Sequence, residues 1–236
     1  MILELENVTK LYKNGRGAED VSFALQSGEV LGLLGPNGSG KTTIMKAIAG
    51  LVRISRGSIH ICGVDAINQH EKAMANVGCL IESPALYGHM TAGQNLQMAA
   101  RFYANANVDD VLQKVGMERY KRDKVNSFSL GMRQRIGLAL ALLSEPQLLI
   151  LDGPANGLDI EGMMYVREVI THAARNGAAV LITSHLAAEI QQCATRAVVI
   201  SEGRLLGDGK SMDEILQEFE SLEDYFVVMK SNKLAL

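Results

Sequence analysis

The eight residues Gly35-Pro36-Asn37-Gly38-Ser39-Gly40-Lys41-Thr42 constrain this chain more than anything else in it. They follow Val30–Leu34, an unbroken apolar run of the kind carried by a strand buried on both faces. They lead into helical spacing over Thr42–Ala49, with Gly50 as the expected stop. The pattern is G-x-x-x-x-G-K-[ST], in the strand–loop–helix context it requires. Glycines let the backbone curl until successive N–H groups point at one anion. The helix that follows adds the positive end of its dipole. Lys41 can reach the β- and γ-phosphates, and the Thr42 hydroxyl offers Mg²⁺ a hard oxygen. The ligand implied is a nucleoside triphosphate with Mg²⁺, held by Gly35, Asn37, Gly38, Ser39, Gly40, Lys41, Thr42 and Thr43.

The rest of the chain supplies the setting. Ile2–Leu5 and Val21–Leu25 alternate apolar and polar, which predicts half-exposed antiparallel strands. Gly57–Cys62 and Val77–Ile81 are further strand candidates. From about residue 88 the pattern turns helical: Thr91 is an expected N-cap before Gln94–Ala104, and Val108, Val111, Leu112 and Val115 share one helix face. Leu130–Leu143 reads as a third helix. Strand and helix then alternate, Leu148–Leu151, Glu161–Arg175 and Ala179–Thr183, which implies parallel strands with crossover helices. Val198–Ile200 and Arg204–Leu206 form an expected hairpin about Gly203, and Asp213–Phe219 a closing helix.

Composition excludes several alternatives. Of 236 residues 47% are apolar and 21% charged, enough for a sizeable core and unlike a disordered chain. The net charge of −3 gives no general grip on nucleic acid, and none is expected as a partner. Cys62, Cys79 and Cys193 lack C-x-x-C spacing and are expected as buried or half-buried free thiols in a reducing compartment. Glu4 and Glu6 interrupt any leader, and no apolar run approaches the ~20 residues that span a bilayer. The expectation is a cytoplasmic chain that works at a membrane only through a partner.

A second cluster completes the site. Leu148–Asp152 is an apolar run ending in a carboxylate, the second Mg²⁺-positioning group of a P-loop protein. Upstream stands Phe128-Ser129-Leu130-Gly131-Met132 at a helix start; downstream come Asn156-Gly157-Leu158-Asp159 and Thr183-Ser184-His185. With these residues the chain resembles the nucleotide-binding subunit of an ATP-binding cassette (ABC) transporter along essentially its whole length. Ser129 and Gly131 stand in a relaxed L-S-G-G-Q signature, Asp159 matches the D-loop aspartate, His185 the switch histidine, and Tyr12 the aromatic residue that stacks on adenine. The resemblance implies an α/β fold: a P-loop NTPase core with an N-terminal antiparallel β subdomain and an inserted α-helical subdomain. It implies one cassette over residues 1–236, with 1–87 and 146–236 as core and 88–145 as the helical subdomain. Also implied are ATP and Mg²⁺, a head-to-tail ATP-dependent homodimer in which Ser129 and Gly131 complete the opposite site, and a separate integral membrane permease. The chain would then lie on the inner face of the cell membrane, with the surface from Glu82 to about Leu96 as the coupling groove.

Two departures from the family pattern stand out. Glu82, in Glu82-Ser83-Pro84, replaces the Gln that contacts Mg²⁺ and the attacking water. That form resembles the subgroup exporting bacitracin-like and lantibiotic peptides, for immunity or resistance. Gly153 replaces the Glu that normally follows the Mg²⁺ aspartate and polarises the water. Losing a general base costs ~10²–10⁴-fold in rate, about 3–5 kcal/mol. A weak or dead ATPase, a substitution trapping the ATP state, and a stand-in base at Glu82 all remain open at this point. The leading reading is an exporter subunit that binds and hydrolyses ATP. The alternatives are an ATP-dependent dimerising switch with little hydrolysis, and a soluble ABC protein of translation or DNA repair, which usually carries two cassettes or a long coiled coil.

Overall fold

The computed structural model describes residues 1–184 and 186–234. β1 (Leu3–Leu11), β2 (Gly17–Leu25), β4 (Arg56–Ile61) and β5 (Val64–Asp65) form an antiparallel sheet in the order β2-β1-β4-β5. A second, six-stranded sheet takes β3 (Val30–Leu34), β6 (Val77–Leu80), β7 (Leu148–Asp152), β8 (Ala179–Thr183), β9 (Arg196–Ser201) and β10 (Arg204–Ser211). Its order is β10-β9-β3-β8-β7-β6, parallel except for the returning β10. This is the α/β P-loop fold, and the position of β3 between β8 and β9 brings three functional strand ends together.

The apolar runs read as doubly buried strands are so, and the period of two explains how. Leu31, Leu33, Leu148, Ile150, Leu181, Val198 and Ile200 face a core shared with the antiparallel sheet and α1 (Lys41–Ile48). Their neighbours Val30, Leu34, Leu149, Leu151, Val180, Ile182, Ala197 and Val199 face the opposite core. That second core continues without a break into α3 (Ala92–Ala100), α4 (Val108–Lys114) and α5 (Leu130–Leu142) through Leu96, Val111, Leu112, Val125, Phe128 and Ile136. A Cβ at Gly78 on β6 would fall 2.0 Å from the Ala141 carbonyl, so α5 lies directly against that strand.

Several boundaries differ from the sequence expectation. β1 and β2 each run nine residues, because bulges at Leu5/Val8 and Val8/Lys10 break the alternation that defines a strand in sequence. Asn7 and Asp20 take left-handed backbone there and hydrogen-bond to each other at 2.8 Å. β10 passes Leu206 through a similar shift, with Gly207 and Gly209 at positive φ. α3 stops at Ala100 rather than Ala104, where the Phe102 and Tyr103 N–H groups bond back three residues and tighten the turn. The closing element is a pair, α8 (Met212–Glu218) and α9 (Leu222–Leu234), and the short α2 (His70–Met74) and α7 (Ala187–Gln191) were not legible as helices. Cys79 is exposed, not buried, because β6 is an edge strand. Burial pushes the half-buried Cys193 thiol up to about 11, which leaves it protonated and inert near neutrality. Among the described residues, no helix is long and apolar enough to cross a membrane.

Candidate functional site

β3, β8 and β7 lie side by side and parallel, so their carboxyl ends open on one crevice, where ligands of such sheets bind. The loop after β3 curls into α1 through Gly38 at φ 79° and Gly40 at φ 109°. A Cβ at Gly40 would meet the Gly17 carbonyl at 2.4 Å, so glycine alone allows this loop to close on β2. Lys41 Nζ donates to the carbonyls of Gly35 at 2.6 Å and Pro36 at 3.0 Å. An ammonium carries three donors, so one remains for a ligand. Burial lowers the Lys41 pKa, and the Asp152 charge opposes that shift.

Asp152 ends β7 directly beside Thr183 of β8. Its two oxygens accept from the Thr42 hydroxyl at 2.7 Å and the Thr183 hydroxyl at 2.6 Å. A carboxylate and a hydroxyl thus converge next to a cation, a donor set of hard oxygens that suits Mg²⁺ accompanied by phosphate. Ser39 Oγ, 3% exposed, has no hydrogen-bond partner among the described residues, and an orphan donor in an anion loop fits the same ligand. Tyr12, Asn37, Gly38, Gly40, Lys41, Thr42, Thr43, Asp152 and Gly153 line one cavity of about 360 Å³. Gly35 and Ser39 belong to the loop but not to the cavity wall. Gly153, at φ 59°, donates its N–H to the Thr183 carbonyl at 3.0 Å and brings no side chain to the crevice.

The remaining candidates lie elsewhere. The Glu82 carboxylate is not in the cavity wall; it pairs with Lys46 on α1 at 2.7 Å, and its side chain is 63% exposed. Ser129, Gly131 and Asp159 line a second cavity of about 350 Å³ that shares no wall residue with the first. There Ser129 caps α5 by accepting from Met132 N–H at 3.2 Å, and Asp159 caps α6 (Ile160–Arg175) by accepting from Gly162 N–H at 2.9 Å. The segment Gly153–Asp159 runs from one cavity to the other, and a Cβ at Gly131 would sit 3.0 Å from its Gly157 carbonyl. His185 lies outside the described residues.

Residues 18–156 match the family model described as ABC transporter. The chain belongs to the ABC transporter family. It is the ATP-binding cassette of such a transporter, an ABC-type ATPase. It is 39% identical to the ABC transporter ATP-binding protein YhcH of Bacillus subtilis over 92% of this chain and 72% of that protein. It is 35% identical to the bacitracin transport ATP-binding protein BcrA of Bacillus licheniformis, over 87% and 68%. It is 34% identical to the lantibiotic transport ATP-binding protein SrtF of Streptococcus pyogenes, over 95% and 96%. A solved ATP-binding subunit of an ABC transporter superposes with a TM-score of 0.88 at 29% identity, over 98% of this chain and all of that one, 100%.

Within this ABC cassette, sequence reasoning gave no role to several wall residues of the first cavity. Asn14 and Arg16 come from the β1–β2 turn, Thr183 and Ser184 from the end of β8, and Asn156 from the loop after β7. A hydroxyl at the end of a buried strand beside the Asp152 strand was the available signal for Thr183. Asn156 carried none beyond its place within the D-loop stretch.

Proposed function

We propose that this cassette binds Mg·ATP in the 360 Å³ cavity, joins a second copy head to tail through it, and drives export by a separate membrane permease. One observation carries the reading: the phosphate loop and the Ser129–Gly131 helix start line two separate cavities of one chain. A second copy can bring its own Ser129 and Gly131 to the phosphates that the first cannot reach. Exposed apolar side chains beside the second cavity support this, since Leu130 is 61% and Ile160 76% exposed, each directly after a capping residue.

In this reading Lys41 turns from its own loop carbonyls to the phosphates, and the loop amides hold the anion. Mg²⁺, when bound, neutralises phosphate charge, and Thr42 and Asp152 would hold it. Tyr12 offers its ring to the base, and Asp159 stays a helix cap at the dimer face. His185 follows Thr183 by two residues and is proposed to contact the γ-phosphate. The permease is proposed to touch the surface from Glu82 to Leu96, where Tyr87 is half exposed, with the cassette on the cytoplasmic face. The Glu82-Ser83-Pro84 segment and the similarity to BcrA and SrtF support bacitracin- or lantibiotic-like peptides as cargo. Gly153 supports slow hydrolysis and favours a second reading, an ATP-dependent dimerising switch.

Co-expression with a candidate integral membrane permease tests the proposal. Cells producing both should tolerate more bacitracin than cells carrying the Lys41→Ala variant. Equal sensitivity, or no co-purification with the membrane protein, overturns the export role.

A further inference from the structure

We infer that Asn156 orients the attacking water in this cassette, its carboxamide standing where a side chain at position 153 would begin. The inference rests on the reading of the first cavity as the Mg·ATP site. A Cβ built on Gly153 would fall 2.2 Å from Asn156 Nδ2, 3.0 Å from its Cγ and 3.3 Å from its Oδ1. The carboxamide therefore fills the space that glycine leaves, and it does so in the wall that also holds Lys41, Thr42, Asp152 and Thr183. Among the described residues it has no hydrogen-bond partner, whereas its backbone is fixed: the N–H donates to the Gly153 carbonyl at 3.0 Å, and Gly157 turns at φ 74°. An uncommitted amide on a fixed backbone at the cavity wall is a group open to a ligand.

A carboxamide both donates and accepts. Oδ1 can accept one water O–H while Nδ2 donates to a phosphate oxygen, which lines the water up with phosphorus. The amide takes no proton, so the step differs from general-base catalysis. The water oxygen forms its bond to the γ-phosphorus, and the bond from that phosphorus to the bridging oxygen breaks with its electron pair going to ADP. The water proton passes to an oxygen of the transferred phosphate. Orientation is kept and deprotonation is lost, which gives slow rather than absent turnover.

Single-turnover hydrolysis and calorimetric ATP affinity in five proteins test this: parent, Asn156→Ala, Asn156→Asp, Gly153→Ala and the double variant Gly153→Ala/Asn156→Ala. Asn156→Ala should still bind ATP, no more than severalfold more weakly than the parent, and hydrolyse the bound ATP about tenfold more slowly, the size of one well-aligned hydrogen bond. Gly153→Ala adds only a methyl that displaces the carboxamide, so it should slow the reaction similarly, and the double variant should be no slower than either. Asn156→Asp places a base in the same position and should raise the rate about tenfold or more, with a limb that climbs with pH as the carboxylate ionises. If ATP binds but Asn156→Ala and Asn156→Asp both keep the parental rate at every pH, the inference fails while the site reading stands. Additive losses in the double variant overturn it too. A parent that binds no ATP overturns the site reading itself, and this inference with it.

Discussion

Gly153 stands where the ABC pattern places a carboxylate, yet the groups around it are intact: Lys41 held by its loop, and Asp152 held by Thr42 and Thr183. On the proposed reading, charge stabilisation of the phosphates would be retained while proton removal would not. Lys41→Ala should weaken Mg·ATP binding strongly, since it removes the fixed cation; unaltered calorimetric affinity would contradict the assignment. Gly153→Glu should raise single-turnover hydrolysis by about 10²-fold or more with little change in affinity. That gain is opposed by structure. Position 153 sits at φ 59°, costing a non-glycine residue about 1–2 kcal/mol, and Asn156 must swing aside. The same variant should therefore melt lower, by about 2–4 °C for each kcal/mol in a chain of this size. A faster enzyme with an unchanged melting temperature would mean that the backbone at 153 relaxes freely. The phosphate loop, Asp152 and Gly153 were legible because each rests on a local pattern. Asn156 and the Lys46–Glu82 pair were not, because both depend on where a side chain turns after the fold has closed.

Helix starts do double service in this cassette. Ser129 and Asp159 each satisfy an N–H at the first turn of a long helix, and both line the second cavity. Ser129→Ala should cost about 1 kcal/mol of stability through the lost cap, read as a lower urea midpoint at constant slope. ATP affinity of the isolated monomer should not change, because Ser129 lies outside the first cavity. A tenfold loss of monomer affinity would place Ser129 at its own chain's nucleotide. Elements marked by unbroken apolar runs, β3, β7 and β8, and the long helices α5 and α6 that begin at a capping residue, were readable to within a residue or two. α9 was not, because it packs on the core through Leu222 and Tyr225 without a regular apolar stripe, although Ser221 and Asp224 pair at its start. The bulged strands β1 and β2 were found in sequence but read too short, because a bulge changes the face of every residue after it.

At the scale of the molecule, the head-to-tail arrangement proposed above would give each cavity half of a phosphate clamp and make dimerisation and nucleotide binding one equilibrium. A nucleotide drives association only by the amount that it prefers the dimer. If each of two sites binds ATP about 100-fold more tightly in the dimer, saturating ATP strengthens association by about 10⁴-fold. If the proposed closed state ends when ATP is split, slow hydrolysis caused by Gly153 should make it long-lived. Light scattering in Mg·ATP should show a dimer that persists, while ADP gives monomer. Ser129→Arg should abolish the dimer, since it places a long charged side chain in the partner's phosphate site. Gly153→Glu should form the same dimer but lose it within the time course of hydrolysis, so its lifetime tracks single-turnover rate across the variants. A monomer at saturating ATP and high protein concentration would break the link between the two cavities, and with it the head-to-tail arrangement.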